Sequence, residues 1–149
     1  MLFNKIVRKA NRAQNDEKSV YEFLDAGFVC HVAFQYEGCP MMIPTAYGRK
    51  DDTIYLHGSS KNFMLNEVCN GQTICIAVTL VDGVVLANNL FRSSINYRSV
   101  VLFGKAEKIV DQESKKQALK IICDNIADMR AGEVPLGSEK EIESTMVIR

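Results

Sequence analysis

Short apolar and β-branched runs, separated by turn-forming residues, dominate the first half of the chain. The runs at 28–36, 41–49 and 53–57 predict three strands, because Glu37-Gly38 and residues 50–52 favour tight turns between them. Strands that follow one another through tight turns pair antiparallel, whereas parallel strands need long crossovers. The pattern therefore predicts a meander of three short strands.

Helical patterns interrupt the strands. A first helix is predicted between Asp16 and Ala26, with a Ser19-to-Glu22 capping box at its start. A second helix is predicted over 61–70, and a short charged one begins at Ser138. A helix over 112–127 is predicted from apolar residues at helical spacing, which are Ala118, Leu119, Ile122 and Ile126.

Three further strands are predicted at 73–80, 96–110 and 145–148, with a tight turn at Asp82-Gly83 after the first of them. The last strand ends with the chain at Arg149, so we expect it either to pair elsewhere in the fold or to belong to a longer protein. Hairpin-linked strands with helices between them predict a mainly β protein, a β-barrel with peripheral helices.

Composition narrows the class of protein. The 149 residues, 47% of them hydrophobic and 24% charged, predict one domain over 1–149. A net charge of +0 argues against a nucleic-acid partner, and no apolar run is long enough to predict a membrane span. Residues 1–5 lack the apolar core of a signal peptide, so we expect a cytoplasmic protein.

The five cysteines and two histidines do not predict a metal site. Five is an odd number and no two cysteines form a Cys-x-x-Cys pair, so reduced thiols are expected. His31 lies within the first predicted strand, where a core or interface role is the expectation. Serine hydrolase, P-loop and Rossmann motifs are not found in the sequence.

A strand-to-helix junction is the first candidate site. It reads His57-Gly58-Ser59-Ser60-Lys61, and helix N-termini with small residues suit anions such as phosphate. Lys61 in the first helical turn would oppose the helix dipole, and a bound phosphate would remove that conflict. A plain serine N-cap with a solvated lysine explains the same residues, so both interpretations stand.

Arg98 is the second candidate. Side chains alternate along a strand, so Arg98 shares a face with Val100 and Leu102. A guanidinium among aliphatic side chains needs an anion, because an unpaired buried charge is costly. The anion is either a ligand phosphate or an internal carboxylate, and the pattern does not distinguish the two.

The segment 40–47 is the third candidate. Pro40 and Pro44 lie close together in a predicted strand, which argues for an edge or an irregular segment. Such a segment leaves backbone groups available to a planar ligand, although an ordinary barrel edge gives the same pattern.

These segments, in this order, resemble the flavin-binding split barrels related to pyridoxamine 5′-phosphate oxidase, in the branch of the 5-nitroimidazole resistance proteins. The resemblance runs from about Asp16 to Arg149 and is strongest in the stretch Ser94-Ile95-Asn96-Tyr97-Arg98-Ser99-Val100-Val101. It implies a six-stranded split β-barrel that forms a homodimer, with flavin mononucleotide (FMN) between the protomers.

The resemblance also implies which residues contact the cofactor. One stretch would lie along the flavin ring, a second would surround the phosphate, and a third would complete the site. These residues are Met42, Ile43, Pro44, Thr45, His57, Gly58, Ser59, Ser60, Lys61, Asn96, Tyr97, Arg98 and Ser99.

One departure from the family pattern bears on catalysis. Many relatives carry histidines just before the Asn96 segment, but this chain reads Phe91-Arg92-Ser93 there. No acid–base role transfers to those positions, and no catalytic residue is assigned. Arg92 would suit an additional phosphate, so flavin adenine dinucleotide (FAD) is an alternative to FMN.

The expected function is a flavin-dependent oxidoreductase, which takes electrons from NADH or NADPH and reduces a small acceptor such as a nitroimidazole or another nitroaromatic. The alternative is a binding module that holds flavin or haem without turnover. Oxidation of pyridoxamine 5′-phosphate itself is not expected, since the extended features that hold that substrate's phosphate are not apparent in the sequence.

Overall fold

A computed structural model describes residues 10–14 and 16–149, so residues 1–5, which bear on the signal-peptide question, lie outside it. The strands are β1 Val29–Tyr36, β2 Cys39–Lys50, β3 Thr53–Ser59, β4 Ile74–Val85, β5 Ser94–Gly104 and β6 Thr145–Ile148. The α-helices are α1 Glu17–Asp25, α2 Phe63–Val68, α3 Gln112–Ile126, α4 Arg130–Glu133 and α5 Glu139–Ser144, and 3-10 turns lie at Ala10–Arg12 and Leu90–Arg92. No helix in the described part of the chain is long and apolar enough to cross a membrane.

The six strands form one antiparallel arrangement in the order β5-β4-β1-β2-β3-β6. The prediction of a mainly β, six-stranded split barrel with peripheral helices is confirmed. β2 belongs to both halves of the barrel, because it pairs with β1 as far as Ala46 and with β3 from Tyr47 onwards. Pro40 and Pro44 therefore lie where β2 has a register partner on one side only, as the predicted edge requires.

The chain after β5 closes one end of the barrel. Glu107 and Arg149 exchange backbone hydrogen bonds of 2.8 and 2.9 Å, and Ile109 N–H donates to Val147 C=O at 2.9 Å. The expectation that the last strand pairs elsewhere is confirmed, since β6 lies between β3 and residues 107–109. The predicted fifth strand over 96–110 was wrong at its end, because the chain leaves β4 after Gly104 and joins β6.

The cap of α1 differs from the prediction. Asp16 is the N-cap, and its carboxylate accepts a 2.9 Å hydrogen bond from Ser19 N–H, so the predicted Ser19-to-Glu22 capping box was wrong. The hydrogen bonds from Ser19 lower the pKa of Asp16. A capping box is present at α5, where Ser138 and Glu141 hydrogen-bond reciprocally.

The predicted turn at Asp82-Gly83 was also wrong. Both residues lie inside β4, where a β-bulge separates the pairs Val81–Tyr97 and Gly83–Asn96. The hairpin continues well beyond the register that β4 shares with β1 and reverses only between Val85 and Ser94. The tip of this hairpin exposes large apolar side chains, which are Leu86, Leu90 and Phe91.

Tyr47 is fully buried at the point where β2 changes partner. Its hydroxyl donates to Leu24 C=O at 2.5 Å, and the Asn125 side chain donates to Tyr47 C=O at 3.0 Å and to Gly27 C=O at 2.8 Å. Burial raises the pKa of the Tyr47 hydroxyl, which therefore stays protonated and remains a donor. These bonds fix α1, β2 and α3 relative to one another.

Gly48 lets α3 approach the sheet. A Cβ on Gly48 would lie 2.7 Å from both Cα and N of Ile122, in the backbone of α3. Ile122 and Ala118 are buried against the sheet. Since backbone cannot move aside as a flexible side chain can, only glycine fits this position without displacing the helix.

We expect Gly48→Ala to destabilise the protein by about 1–3 kcal/mol, the range for overpacking, and to lower Tm by roughly 2–12 °C for a chain of this size. Gly104→Ala is the control, because a Cβ there meets nothing within 4 Å. Thermal unfolding followed by circular dichroism measures both. An equal Tm for the two variants would contradict the proposed contact with α3.

Candidate functional site

The four predicted ring contacts on β2 alternate between the two sides of the sheet. Met42 and Pro44 are exposed, whereas Ile43 packs against the core and Thr45 pairs in register with fully buried Cys30. Only Met42 and Pro44 therefore present side chains to a ligand on the outside of the barrel, and Ile43 and Thr45 can contribute backbone there.

Met42 and Pro44 belong to an extended surface that crosses four strands. Register pairs place Pro44 beside His31 and His31 beside Ala77, and Met42 beside Ala33 and Ala33 beside Cys75. Directly opposed residues share a face. We call this surface the outer face, and its exposed or half-buried side chains include His31, Ala33, Met42, Pro44, Cys75, Ala77, Thr79, Tyr97 and Ser99.

The predicted contacts on β5 divide in the same way. Tyr97 and Ser99 lie on the outer face, opposite Val81 and Thr79. Asn96 and Arg98 lie on the other side of β5. The candidate residues of this segment therefore present two surfaces, one continuous with Met42 and Pro44 and one at the rim of the barrel.

Arg98 has an internal partner. Its Nε lies 3.1 and 3.0 Å from the two carboxylate oxygens of Asp82, and its Nη2 lies 2.8 Å from Oδ1. These hydrogen bonds lower the pKa of Asp82. The sequence left a ligand phosphate and an internal carboxylate as alternative partners of Arg98, and the internal carboxylate is present. The expectation that Arg98 is buried was wrong, since 55% of its side chain is exposed.

The junction between β3 and α2 differs from its sequence-based interpretation. α2 begins at Phe63, and its N-cap is Asn62, whose side chain accepts from Leu65 N–H at 3.0 Å. Lys61 precedes the helix, so the argument from a lysine in the first turn was wrong. The expected serine N-cap was wrong as well, because asparagine takes that role.

Three consecutive backbone donors of this junction are already used. The N–H of Ser60 donates to Ser144 C=O at 2.9 Å, that of Lys61 to the Ser59 hydroxyl at 3.2 Å, and that of Asn62 to Ser59 C=O at 2.8 Å. An anion beside Ser60 and Lys61 would therefore bind side chains, namely the hydroxyls of Ser59 and Ser60 and the exposed ammonium of Lys61. Among the described residues, Lys61 has no ion-pair partner.

His57 lies beneath helices, away from the outer face. It borders a cavity of about 290 Å³ together with side chains of α3, α5 and the 131–136 segment, which are Leu119, Cys123, Ala131, Val134, Pro135, Leu136, Glu141 and Ile142, and Thr145 of β6. Its Nδ1 is buried and has no hydrogen-bond partner in the described part of the chain. Burial lowers the pKa of His57, which keeps the imidazole neutral.

A larger cavity of about 710 Å³ lies between β3, β4 and the end of β5, at the end of the barrel that residues 107–109 and β6 close. Its walls are mainly aliphatic, including Ile54, Ile76 and Leu102, and charged residues stand at its rim. It contains none of the predicted cofactor contacts. The volume of this cavity is therefore not a reason to place the cofactor site there.

The comparisons with known proteins identify the family and the fold. The profile of the family described as pyridoxamine 5′-phosphate oxidase matches residues 16–149. The chain belongs to this family. No curated protein sequence matches it.

Three solved structures of related chains are similar to this one. The flavocytochrome Anf3 from Azotobacter vinelandii is 34% identical with a TM-score of 0.85, over 96% of this chain and 66% of that one. The FAD and haem binding protein from Mycobacterium smegmatis is 30% identical with a TM-score of 0.84, over 91% and 65%. A proposed 5-nitroimidazole antibiotic resistance protein from Bacteroides thetaiotaomicron is 26% identical with a TM-score of 0.72, over 91% and 78%. The chain thus spans about two thirds of the first two proteins.

The predicted contacts lie in four places in this chain, one of which is the position of His57 beneath α3 and α5. The outer face carries Met42, Pro44, Tyr97 and Ser99, the barrel rim carries Arg98, and the junction carries Ser59 to Lys61. Asp82 and Asn62 were missed by sequence reasoning. Asp82 lies in a dipeptide that also favours a tight turn, and Asn62 follows two serines, which are equally favoured as N-caps.

The half-buried His57 predicts a pH dependence of stability. A histidine whose pKa is lower in the folded protein binds its proton more readily when unfolded, so stability falls as pH drops below about 6.5. We expect the free energy of unfolding to decline between pH 7 and 5, and His57→Gln to flatten that decline. Urea titrations across this range measure it.

His31→Gln is the matched control, because His31 is the other of the chain's two histidines and is exposed on β1. The control should keep the wild-type slope between pH 7 and 5. If the decline in the free energy of unfolding persisted in His57→Gln and disappeared in His31→Gln, the assignment of the pH dependence to His57 would be contradicted.

Proposed function

We propose that the chain binds a flavin, FMN in the first place, between two copies of itself and acts as an oxidoreductase. Electrons would come from NADH or NADPH and pass to a small acceptor such as a nitroaromatic. The observation that supports this most directly is the outer face, where Met42 and Pro44 stand on the same surface as Tyr97 and Ser99. The described relatives that bind FAD and haem or are named as flavocytochromes support the cofactor class.

The composition of the outer face suits a flat partner. Ala33, Cys75 and Ala77 are small, so a planar ring or a second sheet can approach the backbone closely. A contiguous exposed apolar patch is a common mark of an interaction site. Met42 is 62% exposed and Tyr97 58% exposed, and both side chains would be buried by such a partner.

A second copy also accounts for the distribution of the phosphate contacts. β3, which ends at the Ser59–Lys61 junction, and β5, which carries Arg98, are separated by three strands in the sheet order. Two protomers that meet through the outer face would let the junction of one and the β5 segment of the other serve one cofactor. The homodimer is therefore part of the proposal.

The residues present fit a phosphorylated, planar cofactor. Hydroxyl, ammonium and guanidinium groups suit the phosphate, and the apolar outer face suits the ring. The flavin would supply the redox chemistry, while the chain binds it, orients it and excludes water. No side chain of the site is assigned as acid or base, since His57 lies under α3.

A second candidate function is haem binding without turnover. His31 lies exposed in the middle of the apolar outer face, and no described residue hydrogen-bonds its imidazole. Neutral imidazole is a common axial ligand of haem iron. Two similar structures are named as haem or cytochrome proteins, which supports this candidate.

The visible spectrum of the purified chain tests both candidates. We expect absorption bands of an oxidised flavin, about one flavin per chain, and bleaching by NADH or NADPH without oxygen. Heat release of the cofactor and chromatography identify FMN or FAD. A Soret band that depends on His31 would establish haem instead, and a colourless protein that takes up no added flavin would overturn the proposal.

We expect Ala77→Glu to produce monomers and to weaken flavin binding at least tenfold, because it puts an unpaired charge in the middle of the outer face. Gln117→Glu, on the exposed side of α3, is the control and should change neither property. Sedimentation velocity and flavin titration measure them. A dimer with wild-type affinity in Ala77→Glu would exclude the outer face as the interface.

A further inference from the structure

The Arg98 guanidinium is held along one of its edges. A guanidinium offers hydrogen-bond donors in a rigid planar fork, so two neighbouring N–H groups can serve one anion. Asp82 occupies the edge formed by Nε and Nη2, through contacts of 2.8 to 3.1 Å. Arg98 Nη1 donates to no described residue. The other edge of the guanidinium, formed by Nη1 and Nη2, therefore retains N–H groups that can donate to a second anion.

An aromatic ring lies against the same group. Arg98 Cζ lies 5.6 Å from the centre of the Phe23 ring, and Phe23 is buried in the core. The ring and the carboxylate together restrict a side chain that would otherwise lose considerable rotamer entropy on binding a ligand. With 55% of the side chain exposed, the remaining fork is accessible from solvent.

The position of Asp82 in β4 is itself unusual. Val81 pairs with Tyr97 and Gly83 pairs with Asn96, so Asp82 is the extra residue of a β-bulge. Bulges redirect a side chain and are over-represented beside active sites. The inserted residue, Asp82, hydrogen-bonds Arg98, the side chain whose anionic partner the sequence did not decide. The bulge is an observation on the backbone and is independent of the ion pair.

We infer that Asp82 is a positioning residue, which holds Arg98 so that its accessible fork binds the phosphate group of the flavin. The inference rests on the proposed function for the identity of the ligand. Groups that orient a binding side chain raise affinity because the ordering cost is met before the ligand arrives. A phosphate bound at this edge would lie closer to the guanidinium of Arg98 than to the carboxylate of Asp82. Its attraction to the guanidinium therefore exceeds its repulsion from the carboxylate.

The decisive quantity is the affinity for FMN divided by that for riboflavin, which has the same ring and no phosphate. Asp82→Asn should lower this ratio at least threefold and leave riboflavin binding unchanged. Arg98→Lys should lower the ratio as well, because lysine keeps the charge and loses the fork. Asp82→Asn should then have no further effect in the Arg98→Lys chain, since Asp82 acts through Arg98.

Glu107→Gln is the matched control. Glu107 pairs with Arg149 at 3.0 Å, and both side chains are more than half exposed, in a pair that lies at the closed end of the barrel. Its loss should leave the FMN-to-riboflavin ratio unchanged. An unchanged or higher ratio in Asp82→Asn would overturn the inference, because Asp82 would then be a surface ion pair or a competitor of the phosphate.

A second measurement separates this inference from the proposed function. A wild-type chain that binds neither FMN nor riboflavin would refute the flavin, whereas inorganic phosphate still probes the fork. We expect phosphate to shift the Arg98 Nε–Hε resonance of the wild-type chain, and Asp82→Asn to weaken that binding at least threefold. If the chain binds no flavin, the absence of a phosphate shift in the wild type would overturn the role of Asp82.

Discussion

The change of strand partner within β2 is the constraint on which the rest of the structure depends. One continuous strand pairs with β1 up to Ala46 and with β3 from Tyr47, so both halves of the barrel share a single backbone. Tyr47 secures this point, because its buried hydroxyl bonds Leu24 C=O and its own carbonyl accepts from Asn125 of α3. The same residue thus connects the sheet to the helix before it and to the helix that covers it.

That constraint also decides which part of the sheet is covered. Just past Tyr47, Gly48 lets α3 pack directly on the backbone, and the helix and α5 cover the side of β3 that carries His57. Before Ala46 the same side of the sheet carries Met42 and Pro44, both exposed. A covered half and an exposed half therefore follow from one strand, and the candidate ligand surface is the half that α3 does not reach.

The sequence predicts the strands well where the signal is local. Alternation and turn residues around Glu37-Gly38 place β1 and β2 within one or two residues, and Pro40 and Pro44 indicate the edge where β2 lacks β3. The signal at Asp82-Gly83 failed because turn propensity is local, whereas the length of a hairpin depends on pairing with β5, sixteen residues away at Arg98. Likewise the Ser59-Ser60 pair is a good cap in isolation, but Asn62 makes the cap because it lies where α2 begins.

The same distinction explains why the candidate site was only partly predictable. Residue types such as the guanidinium of Arg98 identify a need for an anion, and that need is visible in the sequence. Which anion meets it depends on a one-residue bulge in the neighbouring strand, and a bulge changes the facing of every residue beyond it. Asp82 therefore answers the question that strand alternation left open, and it does so without excluding a ligand, because it occupies one edge of the guanidinium and leaves the accessible edge for another anion.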